Sequence, residues 1–152
     1  MTAWPAKMRA DSTTSSVPEP SAGRPVDVGP VAAFPDGSIR PVVVGRRSLA
    51  VVRYAGCWHA LRDRCPHQGA PLARGRIVEH ACARLEQGRP VFGKVVPALQ
   101  CPWHGWSFLL ADGTLAADGM HASGTSAATA TARVRSYPVR VAAGRVTIEL
   151  PP

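Results

Sequence analysis

Two short segments of the chain share one design: CPHQG at residues 65–69 and CPWHGW at residues 101–106. In each segment a proline follows the cysteine, and a glycine lies just after the histidine. Proline stiffens a loop by fixing φ, and glycine lets the backbone approach a bound object closely. The ligand spacings are C-x-H and then C-x-x-H, with 33 residues (68–100) between His67 and Cys101. The repeated design predicts two loops that close on one metal centre.

The four candidate ligands form a two-cysteine, two-histidine set: Cys65, His67, Cys101 and His104. Such a set can hold a structural zinc ion. It can also hold a [2Fe–2S] cluster in which two cysteines bind one iron and two histidines bind the other. Each loop mixes one thiol with one imidazole, so each loop can supply one ligand to each iron. This arrangement favours the dinuclear cluster, with a zinc-binding structural module as the alternative.

The extended segments, CPHQGAPL at residues 65–72 and CPWHGWSF at residues 101–108, resemble the two cluster loops of Rieske [2Fe–2S] proteins. The resemblance covers about residues 26 to 150, because WHALRD at 58–63 and the closing YPVRV at 137–141 also match. It implies an all-β fold, a Rieske-like antiparallel β-sandwich with a small cluster-binding subdomain. Carried over by position, it implies one [2Fe–2S] cluster per chain, with one iron bound by the two cysteines and the other by the two histidines: Cys65 and Cys101, His67 and His104.

The resemblance implies a soluble one-electron carrier that links a reductase to an acceptor, which we expect to be an oxygenase. Such a carrier needs no catalytic site of its own. The alternative is the cluster-bearing component of a Rieske non-haem iron oxygenase of the ring-hydroxylating type, because Trp106 after His104-Gly105 resembles the oxygenase version of the second loop. No second iron site is visible before Pro152, which favours the carrier. Asp118 and His121 supply only half of a 2-His-1-carboxylate site, which needs three ligands.

Composition is consistent with the all-β prediction. The 152 residues include 14 glycines and 15 prolines, which disfavour an all-helical bundle. Short apolar runs alternate with turn signals after residue 24, so we predict a disordered tail over 1–24 and the domain over 25–152. The connection between the two loops is longer than in the Rieske proteins that the chain resembles, which indicates an insertion at about 79–97. Within the domain only residues 78–87 look helical, with Gly88 as the expected stop.

The chain is strongly basic, with a formal net charge of +8 and arginine as 16 of its 18 basic residues. The arginines are scattered and no basic run interleaves with aromatic residues, so we expect no nucleic-acid partner. We expect this positive charge to favour docking of an acidic protein partner. No signal sequence and no apolar stretch of about 18 residues are visible, so we expect a cytoplasmic protein without a membrane partner.

Other cysteines, histidines and tryptophans have simpler interpretations. Cys57 and Cys82 lack a partner loop, and we predict packed core thiols. His80 and His121 are single histidines that we expect to face solvent. We predict that Trp103 and Trp106 pack the second loop and shield one side of the cluster, which leaves the histidine edges as the electron port.

High-potential respiratory Rieske proteins carry two further cysteines that join the loops, and a serine hydroxyl after the second His-Gly. The matching positions here are Ala70, Trp103 and Trp106. Without these groups we expect a reduction potential in the lower half of the ~−150 to +300 mV Rieske range.

Overall fold

The computed structural model describes residues 23–116 and 132–152, without the side chains of 81–86, 90–92 and 94. Within these ranges the strands, in chain order, are β1 (Arg24–Pro30), β2 (Ser38–Val44), β3 (Arg47–Tyr54), β4 (Cys57–Arg62), β5 (Arg76–Glu86), β6 (Arg89–Gln100), β7 (Ser107–Leu109), β8 (Ser136–Tyr137), β9 (Val139–Ala142) and β10 (Arg145–Leu150). Two 3₁₀ turns, Val31–Ala33 and Leu72–Arg74, are the helical elements of the described residues.

The strands form three antiparallel sheets, with orders β1-β10-β9, β2-β3-β4-β8 and β5-β6-β7. The first two sheets form the base of the molecule. The third sheet and the two motif loops form the smaller cluster-binding subdomain. The fold is therefore the all-β sandwich with a small added subdomain that the sequence predicted.

Strand β3 belongs to two cores at once. Successive side chains of a strand point to opposite faces of its sheet. Leu49 and Val51 pack in a core with Phe34 and residues of the β1-β10-β9 sheet. Ala50 and Val52 pack in a second core that contains both motif cysteines. The sheet that carries β3 thus supports the cluster-binding subdomain directly.

The predicted helix over residues 78–87 is wrong, because this segment is most of strand β5. It pairs with β6 in a hairpin whose register runs from Arg76↔Gln100 to Glu86↔Arg89. The two loop residues, Gln87 and Gly88, have φ values of 52° and 76°. Positive φ at both central residues is the type I′ turn that joins twisted strands tightly. Gly88 therefore ends a strand at a hairpin turn instead of a helix.

Other boundaries agree with the sequence to within a few residues. Strand β1 begins at Arg24, one residue before the predicted start of the domain. The predicted tail, apart from its last two residues, lies outside the described residues. Among the described residues, no helix is long and apolar enough to cross a membrane.

Candidate metal centre

The two motif loops close with the same backbone hydrogen bonds. In the first, Gly69 N–H donates to Cys65 C=O at 2.8 Å, and Cys65 N–H donates to Ala70 C=O at 2.8 Å. In the second, Gly105 N–H donates to Cys101 C=O at 3.2 Å, and Cys101 N–H donates to the C=O of Trp106 at 2.6 Å. Each loop therefore turns back on its own cysteine through the glycine that the sequence singled out.

The glycines are required by this geometry. Gly69 and Gly105 have φ values of 80° and 73°, in the region where a side chain is strained. Prolines 66 and 102 occupy exposed positions directly after the cysteines. The shared sequence design thus produces a shared loop conformation.

The two cysteines lie at the buried base of the loops. Cys65 is 1% exposed and Cys101 is 3% exposed, and the thiol of Cys65 lies in hydrogen-bonding reach of the Cys101 thiol. Burial raises the pKa of Cys65 to about 11, backbone N–H donors of His67 and Gln68 oppose this rise, and the Cys101 thiol adds to it. The same N–H donors stabilise a thiolate, which is the form that binds metals.

The two histidines lie at the exposed tip, across from each other. The Nδ1 atoms of His67 and His104 are 3.2 Å apart, and both side chains are exposed. Trp106 from the second loop stacks on the His67 ring of the first, with centroids 4.4 Å apart and an angle of 13°. Stacking across the loops fixes the plane of the His67 ring.

Side chains outside the motifs hold each loop in place. Asp63 accepts a hydrogen bond from the Ala73 N–H at 2.6 Å and another from the Ser48 hydroxyl at 3.0 Å. It therefore ties the entry and exit of the first loop to β3. Gln100 donates to the Gly105 C=O at 3.3 Å and accepts from the Arg76 guanidinium at 2.7 Å, which fixes the second loop.

Comparison with known proteins gives the family. The chain matches the Rieske [2Fe-2S] domain over residues 24–138. The protein belongs to the Rieske [2Fe-2S] domain family. The Rieske domain implies a [2Fe–2S] cluster as the cofactor. Both Rieske loops lie inside the matched region.

Relatives differ in how much of their length the Rieske match covers. The chain is 28% identical to the ferredoxin component of the alkene monooxygenase system of Xanthobacter autotrophicus, over 84% of this chain and 82% of that one. It is 33% identical to human apoptosis-inducing factor 3 over 68% of this chain but only 14% of the human protein. Across the first three curated relatives, the match spans between 7% and 14% of their length.

A solved structure with the same fold is the ferredoxin of carbazole 1,9a-dioxygenase from Nocardioides aromaticivorans IC177. The superposition has a TM-score of 0.59 at 23% sequence identity and covers 84% of this chain and 98% of the ferredoxin. This likeness concerns the fold alone.

Several predictions for residues around the Rieske loops need correction. Cys57 is exposed at the start of β4 and is not a core thiol, because it follows the turn at Ala55 and Gly56, whose φ values are positive. Trp103 is 58% exposed, so of the two loop tryptophans only Trp106 packs against a described ligand candidate. His80 is half-buried on β5 instead of solvent-facing.

The side chain of Cys82 lies outside the described part of the chain, as do Asp118 and His121.

Sequence reasoning missed the supporting residues Asp63 and Gln100, and the placement of Arg133 and Arg135. The backbone N–H of Arg62 donates to the C=O of Arg135 at 2.8 Å, so the segment before β8 lies beside the entry to the first loop. An Arg-x-Arg pair around a buried valine was the available signal. The neighbouring strand β4 ends at Arg62, about 70 residues earlier, so no local pattern reveals this contact.

Proposed function

We propose that this protein is a one-electron carrier that holds one [2Fe–2S] cluster per chain. In this proposal Cys65 and Cys101 bind one iron, and His67 and His104 bind the other. The observation that carries the proposal is the pairing itself: two buried thiols face each other at the base of the loops, and two exposed imidazoles face each other at their tip.

The spacing of the imidazoles fits one shared metal. Two nitrogens at the ~2.1 Å bond length of a tetrahedral imidazole site lie roughly 3.4 Å apart. The 3.2 Å between the Nδ1 atoms of His67 and His104 is close to that separation. The two nitrogens can therefore bind one ion without rearrangement of the loops.

The grouping of the donors disfavours the zinc alternative. Zinc in a structural site takes all four ligands around one ion. The four candidate donors lie instead as two like pairs, Cys65 with Cys101 at the buried base and His67 with His104 at the exposed tip. Two separate pairs are what a two-iron cluster requires.

The loop residues would control where an electron enters and leaves. When bound, the cluster would supply one-electron redox chemistry, and the protein supplies its position and surroundings. The buried cysteines exclude water from one end, and N–H donors of His67 and Gln68 stabilise negative charge on Cys65. The exposed histidine edges give the short path to a partner, and Trp106 covers one face of His67.

A reductase and an oxygenase are the partners that we propose. The ferredoxin component of an alkene monooxygenase system matches over most of its own length, which supports the carrier role. The alternative role, a cluster-bearing component of an oxygenase, has support from the pheophorbide a oxygenase of Oryza sativa, which is 46% identical over 36% of this chain but only 7% of the oxygenase.

The test is iron and sulfide analysis followed by electron-transfer assays. We expect a red-brown protein with two irons and two acid-labile sulfides per chain, bleached by dithionite and restored by air. A colourless protein with one zinc per chain, made with ample iron, would falsify the cluster. Substrate-dependent oxygen consumption by this chain alone would reject the carrier in favour of the oxygenase role.

A further inference from the structure

The side of the first Rieske loop carries a dense set of arginines. A cleft of about 710 Å³ runs along this loop from His67 to β8, and it is lined by four arginines and no acidic residue: Arg62, Arg64, Arg133 and Arg135. An adjoining groove of about 390 Å³ shares three of these and adds Arg46 and Arg47. We call these six residues the arginine face.

The fold forces these charges together. Arg133 and Arg135 flank the buried Val134, so both side chains emerge on the exposed side of one segment. The backbone bond between Arg62 and Arg135 places that segment beside the loop entry. Like charges on neighbouring strands oppose folding. The arrangement therefore carries an electrostatic cost, although the Arg135 guanidinium also contacts the Tyr137 ring at 5.8 Å.

The charge of the arginine face is not neutralised within the described residues. None of the six arginines pairs with an Asp or Glu side chain there, since such pairs involve Arg53, Arg140 and Arg145. Two of the six donate to carbonyl groups instead: Arg133 to the Asp112 C=O, and Arg47 to the C=O groups of Pro151 and Pro152. Asp63 lines the adjoining groove and accepts hydrogen bonds from the Ala73 N–H and the Ser48 hydroxyl, so its single negative charge stands against six arginines. The arginine face therefore carries a net positive charge.

The face reaches the cluster end itself. The Arg64 guanidinium lies over Gly69, where a Cβ atom would be 3.4 Å from it, and the same cleft ends at the exposed His67. In the second loop, directly before His104, Trp103 is 58% exposed. An exposed aromatic residue beside a charged border is typical of protein interfaces.

We propose that the arginine face and Trp103 form the docking surface for an acidic redox partner, whose carboxylates border its own redox centre. The inference rests on the proposed electron-transfer function and deepens it. Charge complementarity would orient the partner with its centre against the His67 edge. Electrostatic steering raises association rates by about 10- to 1000-fold at low salt.

The test compares two charge-reversal variants with the same net charge. Arg62→Glu/Arg135→Glu alters the face, and Arg40→Glu/Arg89→Glu alters exposed arginines on β2 and at the start of β6. Reduced flavodoxin, an acidic flavoprotein, serves as the electron donor in stopped-flow assays. We expect the face variant to lose about tenfold in second-order rate constant at low ionic strength, and the control less than about twofold.

A basic acceptor, a neutral variant and a DNA-binding assay complete the test. Basic cytochrome c as the acceptor should react faster with the face variant than with the unaltered protein. Arg62→Gln/Arg135→Gln should show an intermediate loss with flavodoxin and guards against misfolding of the Glu variant. Equal rates in the face and control variants would overturn the docking surface. It would also be overturned if the unaltered protein binds duplex DNA and only the face variant loses that binding. Cluster absorbance and dithionite reduction, measured in every variant, separate this failure from a failure of the carrier function.

Discussion

At the scale of single residues, the ligand assignment separates four positions from the spare thiols. We expect Cys65→Ala and His104→Ala each to lose nearly all iron and visible absorbance, because each removes one of four ligands from a shared site. Cys57→Ala and Cys82→Ala are matched controls, and both should keep two irons per chain. Iron analysis of purified variants checks this. Full cluster absorbance in Cys65→Ala would contradict the assignment.

His59 gives the protein a dependence of stability on pH that is separate from the cluster. Burial lowers the pKa of His59 from 6.5, and a hydrogen bond to the Leu110 carbonyl partly opposes this. A lowered folded-state pKa means that the unfolded chain binds the proton more readily. Its contribution to stability is therefore present above pH 6.5 and is lost as the pH falls below that value.

The His59→Gln variant tests this directly. We expect its free energy of unfolding to fall less between pH 7.5 and pH 5.5 (about one unit either side of the ordinary His pKa) than that of the unaltered protein. Denaturant titrations at both pH values provide the measurement. An identical decrease in both proteins would show that His59 does not contribute.

At the scale of elements, turn chemistry decided where sequence reasoning succeeded. Gly144 is a turn signal in the sequence, and Ala143-Gly144 joins β9 to β10 with φ values of 49° and 70°. Gln87-Gly88 has the same geometry but follows a segment whose alanines and glutamates also suit a helix. Pairing with β6 overrides that local preference, and pairing is a contact between residues distant in sequence. The motif loops were predictable because the backbone hydrogen bonds that close each loop on its own cysteine are local.

Gly75 shows how tightly the start of β5, in the third sheet, packs against the entry to the second loop. A Cβ atom at Gly75 would lie 1.9 Å from the Gln100 C=O, one residue before Cys101. We expect Gly75→Ala to cost about 3 kcal/mol, the upper end for overpacking, because backbone must move. Movement of the backbone at Gln100 would also shift Cys101, so the iron content should fall.

Gly88→Ala is the control for the glycine substitution. Its Cβ atom would meet nothing within 4 Å, although φ is +76°. We expect a cost of about 1–2 kcal/mol from backbone strain alone and an unchanged iron content. Urea titration with iron analysis measures both effects, and equal iron loss in the two variants would refute the role of Gly75.

At the scale of the whole molecule, the reduction potential reflects two opposing influences. Trp106 offers no hydroxyl to a cluster sulfur, and loss of such a donor lowers the potential. The arginine face stabilises negative charge and raises it, but Arg62 and Arg64 are exposed. Exposed charges are screened over about 8 Å at physiological salt. We therefore expect the missing donor to dominate.

Voltammetry tests this balance. The midpoint should lie in the lower half of the ~−150 to +300 mV range. A value above about +200 mV, near the top of that range, would show that the charges dominate. The screening argument also requires the midpoint to rise when the ionic strength is lowered.

Strand β3 packs in both hydrophobic cores of the protein. The amide protons of β3 should be among the last to exchange with solvent, because residues that pack on both faces open only with the whole molecule. Leu49 and Val51 keep their own core if the cluster end loosens. A chain that has lost its cluster to oxidation would then retain a folded base, and it could be reloaded with iron and sulfide without first being remade.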